Sequence, residues 1–290
     1  VSLLGPALRK TVLFLGLIKF SHTVFALPFA LMAAILAADG IPSSRTLFWI
    51  LVAMVGARSG AMAMNRLADH ALDALNPRTR DRALPTGLLR RREVIIFTIA
   101  SFALFLFAAS QLNPLCLKLA PFAMAVLILY PYTKRFTSLS HLLLGVALAL
   151  APLGAWIAVT GGVAAAPAVL GLAVLFWVAG FDILYAMADI DFDRTAGLHS
   201  IPARFGPAGA MAISRAFHGL TILLLFLLVF LSDLRLLYLT GVIVAAGLLL
   251  YEHLLVIRHG LKRLDAAFFA ANGLLSIALF CFTLLDILLL

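Results

Sequence analysis

The sequence predicts an all-α, polytopic membrane protein with about nine transmembrane helices. Three observations lead there. Of 290 residues, 64% are hydrophobic and only 12% are charged, whereas soluble domains average roughly 45–50% apolar and about 25% charged. The mean hydropathy is +1.11. A soluble core cannot hide that much apolar surface, so the bilayer must solvate most side chains. The apolar residues also fall into runs of about 20, the length that crosses a hydrocarbon core of roughly 30 Å.

The runs are 20–38, 46–68, 93–111, 115–133, 139–160, 166–188, 209–231, 235–257 and 267–289. The first lacks a small-residue cleavage site and reads as a span, not a signal peptide. Segments 39–45, 112–114, 161–165 and 232–234 are short connections. Segments 69–92, 189–208 and 258–266 are longer and charged, and the short 134–138 carries Lys134 and Arg135. Cys116 and Cys281 lie in or beside apolar runs. They have no ligand spacing and form no disulfide framework, so they are expected to be buried small hydrophobes.

Net charge is +9. In a soluble protein this would suggest nucleic acid. In a membrane protein it points to anionic headgroups or substrates, and nucleic acid is not expected. Counted over the ends of the nine runs, eighteen lysines and arginines fall on one side. Only Arg45, Lys118 and Arg235 fall on the other, and Arg58 lies within a span. This asymmetry places the N-terminus in the cytoplasm and, after nine spans, the C-terminus outside.

Two acidic clusters carry the chemistry. Asn65, Asp69 and Asp73 are spaced i, i+4, i+8, which places them on one face of a helix. Tyr185, Asp189 and Asp193 repeat that spacing, with Asp182 one turn earlier and Asp191 pointing elsewhere. Six of the 13 acidic residues are in these two regions. Carboxylates near a membrane boundary would repel one another unless a cation sits among them. Hard oxygen ligands without His or Cys suit Mg²⁺, which bridges carboxylates to substrate phosphates. His70 and His199 lack zinc spacing and read as solvated interface residues. Asp69 and Asp189 end the second and sixth spans on the same side. This suggests two parallel four-helix repeats, about 15–135 and 139–260, plus a ninth helix, within one domain of residues 1–290.

Basic residues stand beside the acids. The segment Asn76-Pro-Arg78-Thr-Arg80-Asp81-Arg82 offers guanidinium forks that suit diphosphate oxygens. Arg90, Arg91 and Arg92 read as a membrane-surface anchor. Lys134 either reaches a phosphate or simply marks topology. Arg58, two turns before Asn65 on the same face, needs a partner or a wet cavity inside the membrane. Its partner is either a substrate carboxylate or a buried acid such as Asp182.

The motifs Asn65-x₃-Asp69-x₃-Asp73 with Asn76-Pro-Arg78-Thr-x₂-Arg82, and Tyr185-x₃-Asp189-x₃-Asp193, resemble the two signatures of the UbiA superfamily of membrane prenyltransferases. The resemblance covers essentially the whole chain. Lys19-Phe-Ser-His22-Thr-Val-Phe-Ala-Leu-Pro28, Phe181-Asp182-Ile-Leu-Tyr185 and Gly197-Leu-His-Ser200-Ile-Pro202-Ala-Arg204-Phe-Gly206 resemble the 4-hydroxybenzoate polyprenyltransferase group. Enzymes that prenylate dihydroxynaphthoate for menaquinone share much of this pattern.

The resemblance implies helices around a central cavity under a cytoplasmic cap, open sideways to lipid in a bacterial inner membrane. It implies that Asp69, Asp73, Asp189 and Asp193 bind Mg²⁺–diphosphate and are catalytic. It implies that Arg78, Arg82 and Lys134 hold the diphosphate. It also implies that Arg58 and Asn65 lie near an aromatic acid acceptor. Tyr185 and Asp182 are both candidates to position that acceptor or to take a proton from it, and the sequence does not choose between them. The expected activity is transfer of a polyprenyl chain from its diphosphate to an aromatic ring, on a ubiquinone-type or menaquinone route. Phe181, Tyr130 and Trp177 are candidates to line the cavity, although phenylalanine is abundant and ordinary packing is expected. The rival classes are a transporter with paired carboxylates, another enzyme of the superfamily, and a non-catalytic scaffold.

Overall fold

The computed structural model describes residues 6–19, 23–260 and 264–289. Phe20, Ser21 and His22 of the first family stretch, and Lys262 and Arg263 of the basic set, lie outside the described residues. Among the described residues, eight helices are long and apolar enough to cross a membrane, and Phe25–Ala38 is a shorter apolar one. The chain is therefore all-helical and polytopic, as its composition demands.

A leading helix, α1 (Pro6–Leu17), precedes the first span and was not expected. Phe14 stacks on Phe97 with ring centroids 4.7 Å apart. Leu17 is buried in a small cluster with Ala63, Leu84, Leu89 and Val94. Helix α2 (Thr23–Ala38) has 16 residues, about 24 Å at 1.5 Å per residue. That is short for a bilayer core, but Ala30, Met32, Ala33 and Ala34 are fully buried. Protein, not lipid, surrounds much of it.

Helix α3 (Ser44–Leu75) begins at an N-cap, where the Thr46 amide donates to Ser43 Oγ at 3.1 Å. It runs 32 residues, about 48 Å, and so outlasts the bilayer core. The apolar pattern ends near residue 68, yet Ala68, Ala71, Leu72 and Ala74 are helix formers and carry the helix onward. Asn76 adopts extended backbone before Pro77, which disfavours helix at the residue preceding it.

Helix α4 (Arg91–Leu112) starts with a capping box, in which the Arg90 amide donates to Glu93 Oε2 at 2.9 Å. It packs closely on α3. A Cβ added at Gly56 would lie 2.7 Å from the Phe105 nitrogen, so only glycine permits this approach. Helix α5 (Pro114–Leu129) tightens into a 3-10 turn, Tyr130–Arg135. Residues 130–133 were expected to continue the span as regular helix. Pro131 lacks an N–H for that ladder, and the tighter turn swings Lys134 inward.

Helix α6 (Ser140–Thr160) ends at Gly161 in the left-handed conformation, φ 69°. Helix α7 (Ala165–Ala186) passes through a 3-10 turn, Met187–Asp189, into the short α8 (Ile190–Thr195). Helix α9 (Ile201–Leu231) kinks at Gly206, φ 71°. Segment 189–208, expected as a charged loop, is thus largely helical. Helices α10 (Leu236–His259) and α11 (Leu264–Leu289) follow.

From α3 to α7, and on through α9, α10 and α11, successive long helices are neighbours. Helix α2 closes the ring between α11 and α3 and also touches α6 and α7. Contacts between α6 and α7 are tight enough that a Cβ on Gly145 would fall 2.4 Å from the Leu175 carbonyl oxygen. Trp177 is fully buried in the main core and does not line the cavity, so packing is its role. The cysteines depart from expectation: Cys281 is exposed and Cys116 is half-buried, both as free thiols.

Candidate active site

The ring encloses a cavity of about 730 Å³. Ile50 and Asp69 both line it, so it follows α3 for roughly 28 Å at 1.5 Å per residue. One end is apolar, with Ile50, Phe105, Leu119 and Phe122. The other is polar and holds both acidic clusters. Asp69, Asp73, Asp189, Asp193, Arg78, Arg82, Lys134, Arg58, Asn65, Asp182 and Tyr185 all line this one space. The four aspartates, some 120 residues apart in sequence, therefore converge. Phe181 and Tyr130 line it too.

The unbroken α3 presents Asn65, Asp69 and Asp73. Lys134 Nζ donates to Asp69 Oδ2 at 2.6 Å. Asp69 is 4% exposed, and its Oδ1 is buried with no hydrogen-bond partner. Arg82 uses a single nitrogen, Nη1, to reach both oxygens of Asp73, at 2.7 and 2.8 Å. Arg135 donates to the Ala68 carbonyl and so ties the α5 end to α3.

The loop from Asn76 to Arg90 crosses to the second acidic cluster. It is ordered by its own bonds: Thr79 Oγ1 donates to the Asp73 carbonyl at 3.1 Å, and the Arg78 amide donates to Asn76 Oδ1 at 2.9 Å. Leu84 and Leu89 anchor it in the core. Asn76 Nδ2 donates to Asp189 Oδ1 at 3.1 Å. Arg78 donates from Nε to Asp189 Oδ1 at 2.9 Å, from Nη2 to Asp189 Oδ2, and from Nη1 to Tyr185 Oη at 2.8 Å. Its guanidinium also lies 4.8 Å from the centre of the Tyr185 ring. Burial opposes the Arg78 charge, but the bonds and charge of Asp189, with Tyr185, outweigh it and hold the guanidinium above its ordinary pKa. Ser200 caps α9 and donates from Oγ to Asp193 Oδ2 at 2.7 Å. The spacing of Tyr185, Asp189 and Asp193 suggested one face of one regular helix. The structure corrects this, because α7 ends at Ala186, and partners from other elements fix these acids.

Deeper in the cavity, Arg58 Nη2 donates to the Lys19 carbonyl at 3.3 Å. Asp182 pairs with His141, Oδ2 to Nδ1 2.7 Å, and not with Arg58. Tyr130, Arg66, Asp69, Asp182 and Arg58 all line this same cavity. Arg66, beside Asn65, is by sequence one of the eighteen basic residues counted at the run ends. It is 7% exposed, lines the cavity and donates to the Leu17 carbonyl at 3.4 Å.

Arg66, His141, Asn76 and Ser200 were missed as site residues. His141 carried a signal: it is a polar residue in the first turn of an apolar run, shortly after Lys134. For Arg66 and Ser200 no spacing in the sequence distinguishes a site role from a surface charge or a helix cap.

The donor set fits a hard divalent cation that shares its ligands with phosphate. Every acid in the polar end is a carboxylate. Among the described residues, no three His, Cys, Asp or Glu side chains stand close enough to enclose an ion by themselves. Mg²⁺ is commonly held by one or two carboxylates, with substrate phosphates and water completing the shell. Asp69 Oδ1, buried without a donor, costs on the order of 1–3 kcal/mol and is an oxygen a cation would satisfy.

Comparison with known proteins identifies the family. The sequence profile described as the UbiA prenyltransferase family matches residues 26–278. A 4-hydroxybenzoate octaprenyltransferase of Aeromonas hydrophila is 34% identical over 230 residues, 78% of each chain. One from Methylobacillus flagellatus is 33% identical over 221 residues, covering 76% of this chain and 74% of its own. A UbiA homologue from Aeropyrum pernix K1 superposes with a TM-score of 0.84 at 33% identity, over 92% of this chain and 98% of its own. A UbiA homologue from Archaeoglobus fulgidus, bound to DMAPP and Mg²⁺, shares the fold at TM-score 0.71 and 22% identity, over 96% and 99%. With this match over most of its length, and with both acidic clusters on one cavity, the chain belongs to the UbiA prenyltransferase family and is a prenyl-transfer enzyme.

Proposed function

We propose that the chain transfers a polyprenyl group from its diphosphate to the ring of 4-hydroxybenzoate, in an Mg²⁺-dependent step of quinone biosynthesis. One observation carries the reading: a single cavity joins an acid-and-base end, suited to Mg²⁺–diphosphate, to a long apolar tunnel suited to a prenyl tail. The names of the relatives from Aeromonas and Methylobacillus support the acceptor.

In this reading Asp69, Asp73, Asp189 and Asp193 would hold Mg²⁺, which would supply positive charge to neutralise the leaving diphosphate. Arg78, Arg82 and Lys134 turn from their aspartates toward diphosphate oxygens. Their charges stabilise the leaving group as the allylic C–O bond breaks. The apolar walls exclude water from the allylic cation. Arg58 holds the acceptor carboxylate, and Asn65 and Tyr185 orient the ring. The basic asymmetry of the sequence supports a cytoplasmic site and N-terminus in a bacterial inner membrane. The two acid-bearing helix ends support a division into two parallel repeats of four long helices, α2–α5 and then α6, α7, α9 and α10, with α11 added.

The test offers purified protein one polyprenyl diphosphate with 4-hydroxybenzoate or dihydroxynaphthoate in parallel, with Mg²⁺ or with chelator. Mg²⁺-dependent prenylation of 4-hydroxybenzoate is the expected result. Product from dihydroxynaphthoate alone moves the enzyme to a menaquinone route, and transfer to neither acid removes the reading.

A further inference from the structure

We propose that His141 and Asp182 form a proton-accepting pair, in which Asp182 takes the proton from the acceptor ring and His141 is its positioning residue. The inference rests on the reading of the chain as an aromatic prenyltransferase, and it assigns the base that this reading lacks.

The geometry fixes the pair from three elements. His141, on α6, is 4% exposed at its side chain, and Asp182, on α7, is 29% exposed. Both line the cavity. The Ile201 amide, at the start of α9, donates to His141 Nε2 at 3.3 Å. An amide donor at Nε2 requires a lone pair there, so the imidazole carries its hydrogen on Nδ1. That hydrogen points at Asp182 Oδ2, 2.7 Å away. With both nitrogens engaged, His141 cannot itself accept a proton from substrate. It orients a carboxylate whose other oxygen remains to do so, in the manner of a ligand held by its outer partner.

Position along the helices agrees. Asp182 precedes Asp189 by seven residues, roughly 10 Å of rise, and Arg58 precedes Asp69 by eleven, roughly 16 Å. Asp182 therefore stands between the diphosphate end and the arginine proposed to hold the acceptor carboxylate. The bookkeeping of the step is complete. The ring carbon beside the phenol bonds to the allylic carbon, and the C–O bond to diphosphate breaks, diphosphate leaving with that electron pair. The proton on the attacked ring carbon passes to Asp182, and the C–H electron pair restores the aromatic ring.

The test compares wild type with Asp182→Asn, Asp182→Glu, His141→Leu and His141→Asn, using plain and ring-deuterated 4-hydroxybenzoate. Binding of the prenyl diphosphate checks that each variant is folded. Asp182→Asn and His141→Leu are expected to lower kcat about 100-fold, the usual weight of a general base, with KM for prenyl diphosphate unchanged. A primary deuterium isotope effect should emerge in both, because deprotonation becomes slow; a merely structural tie would not create one. Asp182→Glu should exceed Asp182→Asn. His141→Asn, whose amide can donate to Asp182, should recover about 10-fold over His141→Leu. Wild-type rates in Asp182→Asn or His141→Leu, slow variants without an isotope effect, or an asparagine no better than leucine at position 141 each overturn the pair. A wild type that prenylates neither acid removes the functional reading first, and this inference with it.

Discussion

The two acid-bearing regions face the same cavity but are built differently. The first is one unbroken helix: α3 continues past its apolar stretch, and its own periodicity aims Asn65, Asp69 and Asp73 at one space. The second is broken, since α7 ends at Ala186 and the chain passes through a 3-10 turn into α8. There Asp189 is held by Asn76 and Arg78 from the α3–α4 loop, and Asp193 by Ser200 from α9. Identical spacing in sequence thus has two physical origins. One set is aligned by helix geometry and the other by cross-links from distant segments.

The largest effect should come from removing one acid on each side. Asp69→Ala and Asp189→Ala are each expected to lower prenyl transfer about 1,000-fold or more, since each strips charge stabilisation from the leaving group. Assays with Mg²⁺ and saturating substrates measure it. Wild-type rates in either variant would break the equivalence of the two regions.

A smaller contrast separates the bases. Arg78 spreads three nitrogens over Asp189 and Tyr185, whereas Arg82 serves Asp73 with one. A lysine can replace a single donor but not a fork. Arg78→Lys should raise KM for the prenyl diphosphate about 10- to 100-fold, the weight of a charged hydrogen bond or two, and Arg82→Lys only about 2- to 5-fold. Equal effects would mean that the fork has no special importance.

The smallest effect is on stability. Asn76→Ala removes the bond to Asp189 and the turn bond to the Arg78 amide. A loss of about 1–2 kcal/mol and a fall of roughly 2–8 °C in melting temperature in detergent are expected. The same substitution at Asp81, an exposed loop residue, should leave the melting temperature within about 1 °C, as surface changes usually do.

The structure adds an intramembrane polar cluster whose residues do not line this cavity, although Trp177 packs against Phe181 of its wall. Trp177 Nε1 donates to Asn272 Oδ1 at 2.7 Å, Asn272 Nδ2 donates to Glu252 Oε1 at 3.3 Å, and His218 Nδ1 lies 3.0 Å from His253 Nε2. These bonds join α7, α9, α10 and α11 inside the apolar ring. Each satisfies a polar group that lipid could not.

Sequence alone determined the class and the cast. Long apolar runs admit no fold but membrane-spanning helices, because in lipid a helix must satisfy its own backbone. The acids stood out because charge inside spans is scarce and costly. That is why Asp69, Asp73, Asp189 and Asp193 were legible, together with Arg58 and the loop arginines. Tertiary structure alone decided who pairs with whom. It gave Lys134 to Asp69, Arg78 to Asp189 and His141 to Asp182, and it turned Arg66 from a boundary charge into a cavity wall. Those partners lie 41 to 111 residues apart in sequence. Helical periodicity reaches only a few turns, and beyond that the packing of helices sets which side chains meet.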